Sequence, residues 1–278
     1  MIRLLAIDID GTLLDSNGVL PEANRRAVAS AIAGGVEVAL ATGRRYDFAR
    51  TIFEQLPSPL MLILSNGAMV KTRSGETLHR RLLPRAIAHD VLRQTPDHRA
   101  SAAVVFDRPR EGQVVFEAID WEHPRHGRFF AANRPFLAES SPLEDCLSED
   151  PVQVMFTGGC VSMRGLFDQL RRISEGRFSV ALTEYQHRDF SLVDVIRAGV
   201  CKGTALQDWA RAGGYARDEI MAVGDNLNDV EMLEFAGTPV VMGNGVPELK
   251  ARGWAETETN DNEGVARAIE TFILTRAS

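Results

Sequence analysis

Short apolar segments of strand length, each followed by a helical pattern, are the feature that most constrains how this chain can fold. In the first part of the chain these segments are RLLAIDI, VEVALATG and LMLILSNG, and helical patterns begin between them at Pro21 and Arg45. Apolar strands that alternate with helices are typical of a parallel sheet whose two faces are both covered. This part of the chain therefore predicts a doubly wound α/β core.

The pattern changes between residues 84 and 190. There the strand-like segments AAVVFD, QVVFEA, VQVMFTGG and RFSVALT are more alternating, and the helical stretches PRAIAHDVLRQ and SMRGLFDQLRRISEG separate them. Such a pattern is typical of an α+β domain with a more exposed sheet. After this span the alternation of helix and apolar strand returns. We therefore predict a doubly wound, Rossmann-like core formed by residues 1–83 and 191–278, with a second domain of residues 84–190 inserted into it.

The charge and the apolar segments exclude several classes of protein. The formal net charge is −7, which argues against a broad nucleic-acid surface because such a surface is basic. No apolar run approaches the ~20 residues that span a bilayer. Asp8 and Asp10 interrupt the N-terminal apolar segment, where a signal peptide would stay apolar. We expect a cytoplasmic protein, a monomer or homodimer, that binds neither nucleic acid nor membranes.

The cysteines and histidines show no spacing that is typical of a metal site. Cys146, Cys160 and Cys201 are odd in number and far apart, which favours a reduced intracellular protein. His123 and His126 stand in a segment rich in proline and arginine, and we interpret this segment as a surface loop. Any metal is therefore expected to be held by oxygen ligands.

Polar side chains stand where the predicted core strands end. Asp8 and Asp10 follow the first strand, Thr42 follows the second, Asp225 follows EIMAVGD, and Lys202 opens a helix. Open parallel sheets bind ligands at the carboxyl ends of their strands, so we expect these groups to converge. Mg²⁺ prefers oxygen ligands, and carboxylates at close range repel unless a cation separates them. The pattern therefore predicts a magnesium site for an anionic ligand.

These segments resemble the four motifs of the haloacid dehalogenase-like phosphatases. The matching residues are Asp8-x-Asp10-Gly11-Thr12-Leu13, Thr42-Gly43, Lys202 and Gly224-Asp225-x-x-Asn228-Asp229. The segments LSNGAMV, GDNLNDVEML and VVMGNGVPELKARGWAETETNDNEGVARAIE are similar to the Cof-like subfamily. Members of that subfamily carry a large α/β cap domain between the second and third motifs, which is where the inserted domain is predicted here.

The resemblance implies a role for each motif residue. Asp8 is the expected nucleophile, which forms an aspartyl-phosphate, and Asp10 is the expected general acid and then base. The expected ligands of Mg²⁺ are Asp8, the backbone carbonyl of Asp10, and Asp225. The phosphoryl group is expected to bind Thr42, Gly43 and Lys202, and Asn228 is expected to add a hydrogen bond either to the phosphate or to a metal-bound water. Asp229 is expected to orient these groups.

The leading hypothesis is a Mg²⁺-dependent phosphatase for a small phosphorylated metabolite, such as a sugar, polyol or nucleotide-related monoester. An acid at Asp10 favours an oxygen leaving group and hence a phosphate ester. One alternative is a phosphotransferase or phosphomutase, but these usually carry a small helical cap between the first two motifs, and a single helix fills the span from Asp10 to Thr42. A second alternative is a non-catalytic metal- or metabolite-binding module, which the complete motif set disfavours.

A few residues depart from the motifs or lie beside them. Cys201 stands where Ser is common, Arg197 where proline is usual, and Gly245 where the family usually has Ala. Arg44 is either an ordinary helix-start residue or a substrate contact. The Asn66-Gly67 pair is interpreted first as a turn and second as part of a substrate loop.

Overall fold

The computed structural model describes residues 1–122 and 127–275. The chain forms two compact units, one made of Met1–Arg80 with Val200–Ser278 and the other of Arg81–Gly199. His123 and His126 lie outside the described residues. Within the described residues, no helix combines the length and apolar character that crossing a bilayer requires.

The first core segment has its strands and helices in the predicted order. They are β1 (Leu4–Asp8), α1 (Glu22–Ala33), β2 (Glu37–Ala41), α2 (Tyr46–Phe53), β3 (Met61–Leu64), β4 (Met69–Thr72) and β5 (Thr77–Arg80). All five residues of β1 are buried, as expected of a central strand covered on both faces. Asp8, the last residue of β1, is therefore a carboxylate that the strand carries into the interior.

The inserted unit follows β5. Its elements are α3 (Arg85–Gln94), β6 (Ala102–Val105), β7 (Val114–Phe116), α4 (Gly127–Asn133), β8 (Leu137–Glu139), β9 (Gln153–Gly158), α5 (Cys160–Ser174), β10 (Phe178–Tyr185) and β11 (Phe190–Arg197). These strands form one sheet in the order β10-β11-β9-β6-β7-β8. Neighbouring strands in this sheet pair antiparallel, except that β7 and β8 pair parallel. The unit is thus an α+β domain.

Strand β11 begins at Phe190, at the point where the sequence pattern predicts the return to the core. It pairs with β10 along all eight residues, from Phe190 opposite Tyr185 to Arg197 opposite Phe178, and also pairs with β9. The inserted unit therefore extends to Gly199. The pattern concealed this because β11 is nearly as apolar as a core strand: four consecutive residues, 193–196, are buried.

The second core segment completes the larger unit. Its elements are α6 (Lys202–Gly213), β12 (Ile220–Gly224), α7 (Val230–Phe235), β13 (Thr238–Val241), α8 (Pro247–Lys250), β14 (Ala255–Glu256) and α9 (Gly264–Ile269). Helix α6 contacts α7, and α9 contacts α1. Leu4 of β1, Leu206 of α6 and Met232 of α7 belong to one buried apolar cluster.

The core sheet has eight strands in the order β14-β13-β12-β1-β2-β3-β4-β5. The strands from β14 to β3 in this order run parallel to one another. Strand β4 is antiparallel to β3, and β5 is antiparallel to β4. The doubly wound, Rossmann-like fold class is confirmed. Because Asp8 is opposite Ala41 of β2 and Ile7 is opposite Val223 of β12, the strand ends place Asp8, Thr42 and Asp225 at one edge.

Candidate active site

Three buried carboxylates converge at the carboxyl edge of the core sheet. Asp8 ends β1, Asp225 follows β12, and Asp229 precedes α7; one oxygen of each lies within 4.8 Å of the others. At most 5% of the surface of any of the three is exposed. Oxygen atoms in such a cluster suit a hard divalent cation.

The side chain of Lys202 lies between two of these carboxylates. Its Nζ donates to Oδ1 of Asp8 at 2.5 Å and to Oδ1 of Asp229 at 2.7 Å, and the side chain is fully buried. Although burial by itself lowers the pKa of Lys202, its interactions with Asp229 and Asp8 raise it above the ordinary value. Lys202 is thus a permanent positive charge next to Asp8.

One ammonium does not balance three carboxylates. Burial, together with repulsion from Asp229, raises the pKa of Asp8 to about 7. Burial and repulsion from Asp8 raise the pKa of Asp225 well above its ordinary value. With all four groups ionised the cluster carries two net negative charges, which a divalent cation would neutralise. The charge and the chemistry of these oxygens therefore fit Mg²⁺.

The two oxygens of Asp229 are both engaged by the protein. Oδ1 accepts from Lys202, and Oδ2 accepts from the backbone N–H groups of Asp225 and Asn226, each at 3.0 Å. Asp229 therefore orients its neighbours, and its oxygens are less available to a cation than those of Asp8 and Asp225. Asp225 itself is held by Thr12, whose Oγ1 donates to Oδ1 at 2.7 Å.

Gly11 allows the loop after β1 to approach Asp225. Its φ is +82°, which L side chains rarely adopt, and a Cβ at this position would lie 2.5 Å from Oδ2 of Asp225. Any larger residue would therefore displace the carboxylate. The motif glycine is explained by both backbone conformation and space.

Asp10 lies outside the buried cluster and forms an ion pair with Arg44. Nε of Arg44 donates to Oδ2 of Asp10 at 2.7 Å, and Nη2 donates to Oδ1 at 2.5 Å. The guanidinium also lies over the ring of Phe48, with Cζ 4.5 Å from its centroid. About a quarter of the Asp10 side chain is exposed. Arg44, which the sequence left open between two roles, is thus the partner of the candidate acid.

Thr42 lies one residue beyond β2 and is buried. Its Oγ1 accepts from the backbone N–H of Arg44 at 3.1 Å, and its own N–H donates to the carbonyl of Ile63. The carbonyl of Thr42 accepts from the N–H of Asn66 at 3.0 Å. The loop that carries Thr42 and Gly43 is therefore tied to the end of β3.

Asn66 is part of this site, although its sequence pattern indicated mainly a turn. It is 1% exposed, and its Oδ1 accepts from Nδ2 of Asn228 at 2.9 Å. A signal for this role was present, because Asn66 follows β3, the strand next to β2. The pattern did not show which side chain it would meet.

Asn244 is a second residue whose contribution the sequence did not reveal. Its Nδ2 donates to the carbonyl of Gly11 at 2.8 Å, and its Oδ1 accepts from the N–H of Asn260. Nδ2 of Asn260 donates to the carbonyl of Leu14 at 3.0 Å. The C-terminal part of the core thus supports the loop that follows the candidate nucleophile.

The cysteine before Lys202 takes the place of a helix-capping hydroxyl. Sγ of Cys201 accepts from the N–H of Thr204 at 3.3 Å, which satisfies one free donor in the first turn of α6. Burial raises the pKa of the thiol. Cys201 therefore stays a neutral thiol and holds the start of the helix that carries Lys202.

The comparisons with known proteins agree with the fold and identify the family. The model of the family described as haloacid dehalogenase-like hydrolase matches residues 5–269. A phosphatase of Bacillus subtilis (strain 168), YwpJ, is 28% identical over 98% of this chain and all of that protein. An HMP-PP phosphatase of Citrobacter koseri is 32% identical over 90% of this chain and 88% of that protein.

The solved structures show the same architecture. A haloacid dehalogenase-like hydrolase from B. subtilis superimposes with a TM-score of 0.78 at 25% identity, and the match covers 98% of this chain and all of that one. The resemblance found in the motifs is therefore confirmed over nearly the whole length of the chain. The chain belongs to the haloacid dehalogenase-like hydrolase family, as a phosphoric monoester hydrolase of its Cof-like subfamily.

Proposed function

We propose that this enzyme is a Mg²⁺-dependent phosphatase of a small phosphorylated metabolite and that it works through an aspartyl-phosphate on Asp8. The observation that carries the proposal is the buried group of Asp8, Lys202 and Asp225 at one sheet edge. The functions of two relatives, a phosphatase and an HMP-PP phosphatase, support the substrate class. Sugar, polyol and nucleotide-related phosphates fall within it.

Asp8 is placed to attack phosphorus. One of its oxygens accepts from Lys202, and the other has no hydrogen-bond donor among the described residues. That second oxygen attacks in line, a P–O bond forms to Asp8, and the bond from phosphorus to the leaving oxygen breaks. Water then attacks the phosphorus of the aspartyl-phosphate, which releases phosphate and restores the carboxylate. Hydrolysis is thereby divided into two easier steps.

Asp8, Asp225 and the backbone carbonyl of Asp10 are the groups that would hold Mg²⁺. When bound, the ion supplies positive charge that screens the anionic substrate from the carboxylates and neutralises charge on the phosphoryl oxygens. Thr12 and Asp229 orient these groups, because Thr12 donates to the side chain of Asp225 and Asp229 accepts from its backbone.

Asp10 acts as general acid and then as general base. It gives a proton to the leaving oxygen in the first step and removes one from the attacking water in the second. In the present arrangement both of its oxygens accept from Arg44.

The phosphoryl oxygens are bound by groups from three segments of the core. Thr42 offers its hydroxyl hydrogen, because its oxygen already accepts from Arg44 N–H. Gly43 offers its backbone amide, Lys202 its charge, and Asn228 its side-chain amide. All are donors, as binding of an anion requires.

The inserted unit is assigned the role of the cap domain that recognises the leaving group. It is inserted between the second and third motifs, whereas one helix, α1, and strand β2 lie between Asp10 and Thr42. This placement favours a phosphatase over the phosphomutase alternative, whose cap usually lies between the first two motifs. We also place the enzyme in the cytoplasm, as a monomer or homodimer.

The test is turnover of Asp8→Asn with Mg²⁺ and with EDTA, on a panel of sugar, polyol, nucleotide and vitamin-derived phosphates. Asp168→Asn is the matched control, because Asp168 is exposed and lies in the inserted unit. We expect wild type and Asp168→Asn to release phosphate only with Mg²⁺, and Asp8→Asn to lose at least about 10⁴-fold in kcat. Substantial turnover by folded Asp8→Asn would refute the nucleophile, and full turnover in EDTA would refute the metal requirement.

A further inference from the structure

A buried contact between two asparagines joins parts of the site that lie 162 positions apart in the sequence. Nδ2 of Asn228 donates to Oδ1 of Asn66 at 2.9 Å, and both residues are more than nine-tenths buried. We propose that Asn66 is a positioning residue that holds the amide of Asn228 in the orientation needed to bind the phosphoryl group. The inference rests on the function proposed above and deepens it.

The amide of Asn228 depends on this one contact for its orientation. Its Nδ2 carries two hydrogens, of which Asn66 accepts one, and its buried Oδ1 has no hydrogen-bond partner in the described part of the chain. The side-chain torsion χ2, which rotates an asparagine amide, has a broad range of allowed values. Since no other described residue hydrogen-bonds to the Asn228 amide, its plane would not be fixed by a hydrogen bond if Asn66 were removed. With Asn66, the second hydrogen of Nδ2 remains for a phosphoryl oxygen.

The backbone around Asn66 is held in a conformation that few sequences adopt. Ser65, Asn66 and Gly67 have φ of +48°, +53° and +98°. Left-handed backbone is costly for most residues and least so for Gly and Asn, and a run of it persists only where surrounding structure enforces it. Here the N–H of Ser65 donates to the carbonyl of Arg44, and the N–H of Asn66 donates to that of Thr42, each at 3.0 Å.

The side chain of Asn66 also lies against the second motif. A Cβ built on Gly43 would be 3.3 Å from Nδ2 of Asn66, and a Cβ built on Gly67 would overlap the carbonyl of Cys201, next to Lys202. Asn66 therefore lies between Gly43 and Asn228, in a loop packed against the start of α6. One side chain thus links the two loops proposed to bind phosphoryl oxygens.

The test uses Asn66→Gly, because glycine keeps the left-handed backbone without strain and removes only the side chain. Ser65→Gly is the matched control, since it also places glycine at a residue with left-handed backbone, next to Asn66. We expect Asn66→Gly to raise both the KM for p-nitrophenyl phosphate and the Kd for inorganic phosphate by about tenfold, the scale of one lost buried hydrogen bond. The Kd is measured by isothermal titration calorimetry, kcat should change less, and Ser65→Gly should resemble wild type.

A double-mutant cycle with Asn228→Ala separates positioning from a general structural role. If Asn66 acts through Asn228, adding Asn66→Gly to Asn228→Ala causes no further loss of phosphate affinity. Asn66→Asp is a second background, because it keeps the oxygen that accepts from Asn228. In the Asn66→Asp background, Asn228→Ala should still raise the Kd for phosphate by about the same factor as in wild type. This factor compares two proteins that both carry the charge added by Asn66→Asp, so the charge does not affect it.

Losses that multiply in the Asn66→Gly background, or an Asn66→Gly protein that binds phosphate as wild type does, would overturn the inference. An Asn228→Ala protein with unchanged phosphate affinity would overturn it as well, because Asn228 would then have no role to be positioned for. Failure of the proposed function looks different: wild type itself would neither bind inorganic phosphate nor hydrolyse phosphate esters. Circular dichroism and the Tm of each variant establish that folded proteins are compared.

Discussion

Nζ of Lys202 lies 2.5 Å from Oδ1 of Asp8 with no exposed surface on the lysine, so the candidate nucleophile and its counterion share a hydrogen bond that solvent does not reach. The same ammonium contacts Asp229. Removing one member of a buried ion pair leaves an uncompensated charge, which costs far more than the net contribution of the pair. Lys202 therefore matters to the folding of the core as well as to its chemistry.

Lys202→Met should lower the free energy of unfolding by about 3–5 kcal/mol at pH 8, because Asp8 and Asp229 lose their shared counterion. The loss should be smaller at pH 6, where Asp8, with a pKa of about 7, holds a proton. Urea unfolding without metal measures both values. Lys250→Met is the control: Lys250 is partly exposed, and its removal should cost at most about 1 kcal/mol. Equal stability of Lys202→Met and wild type at pH 8 would contradict this account.

Asp10→Asn should reveal whether Asp10 supplies a proton to the leaving group. General acids contribute roughly 10²–10⁴-fold, so hydrolysis of alkyl phosphates should fall by about that factor. p-Nitrophenyl phosphate, whose leaving group scarcely needs a proton, should lose much less. Steady-state kinetics on both substrates decide the point, and equal losses would argue against the general-acid role. The fold should be unaffected, because Asp10 is partly exposed and outside the buried cluster.

Stability of the metal-free protein should depend on pH in a definite direction. The folded-state pKa values of Asp8 and Asp225 lie above their unfolded values. The stability they contribute is therefore fully present below the unfolded pKa, near 3.8. It is lost as pH rises through the folded-state pKa values, that of Asp8 being about 7. The increase in Tm that these two groups give the metal-free protein should therefore become smaller as the pH is raised from 5 to 8.

Because we propose that Mg²⁺ binds the ionised carboxylates, we expect the increase in Tm that Mg²⁺ causes to be larger at pH 8 than at pH 6. Differential scanning fluorimetry with and without excess Mg²⁺ at both pH values is the measurement. Asp225→Asn should remove most of the increase, since it loses a ligand and a charge. A Mg²⁺ effect that is the same at both pH values would contradict the assignment of these carboxylates as the ligands.

Replacing residues 81–199 by a short Gly/Ser linker should separate catalysis from specificity. The inserted unit is contiguous in sequence, and every candidate catalytic residue lies outside it. The remaining core should bind Mg²⁺ and hydrolyse acetyl phosphate, with discrimination among metabolites largely lost. Circular dichroism must first establish that the core is folded. A folded core that keeps its full substrate preference would place the specificity pocket in the core.

The carboxyl-edge grouping could be predicted from the sequence because parallel strands deliver their last residues to a common edge. Asp8, Thr42 and Asp225 were found in this way, since each directly follows an apolar segment. Asn66 and Asn244 were harder, because their roles depend on which side chain or carbonyl packing brings to them. An asparagine beside glycine has the same local signature whether it forms a plain turn or contacts a second loop.

The sequence pattern does not show the end of the inserted unit, for a different reason. Strand β11 alternates less than its neighbours in the inserted sheet, with residues 193–196 all buried. Such a run is ambiguous between a core strand and a strand in the middle of a two-sided sheet. Its pairing with β10 and β9 shows that β11 belongs to the inserted sheet. The local sequence of a strand does not reveal its pairing partners.

The hydrogen bond from Thr12 to Asp225 spans 213 positions, and that from Asn260 to Leu14 spans 246. At translation rates of about 5–20 residues per second, the ribosome needs roughly 10–50 s to pass from the first partner to the second. Until residue 202 has been added, the nascent chain carries Asp8 without Lys202 or Asp225, while the contiguous strands of the inserted unit emerge together. A product terminated before Lys202 therefore contains the candidate nucleophile but not its counterion, and the candidate site is complete only when the last part of the core has been synthesised.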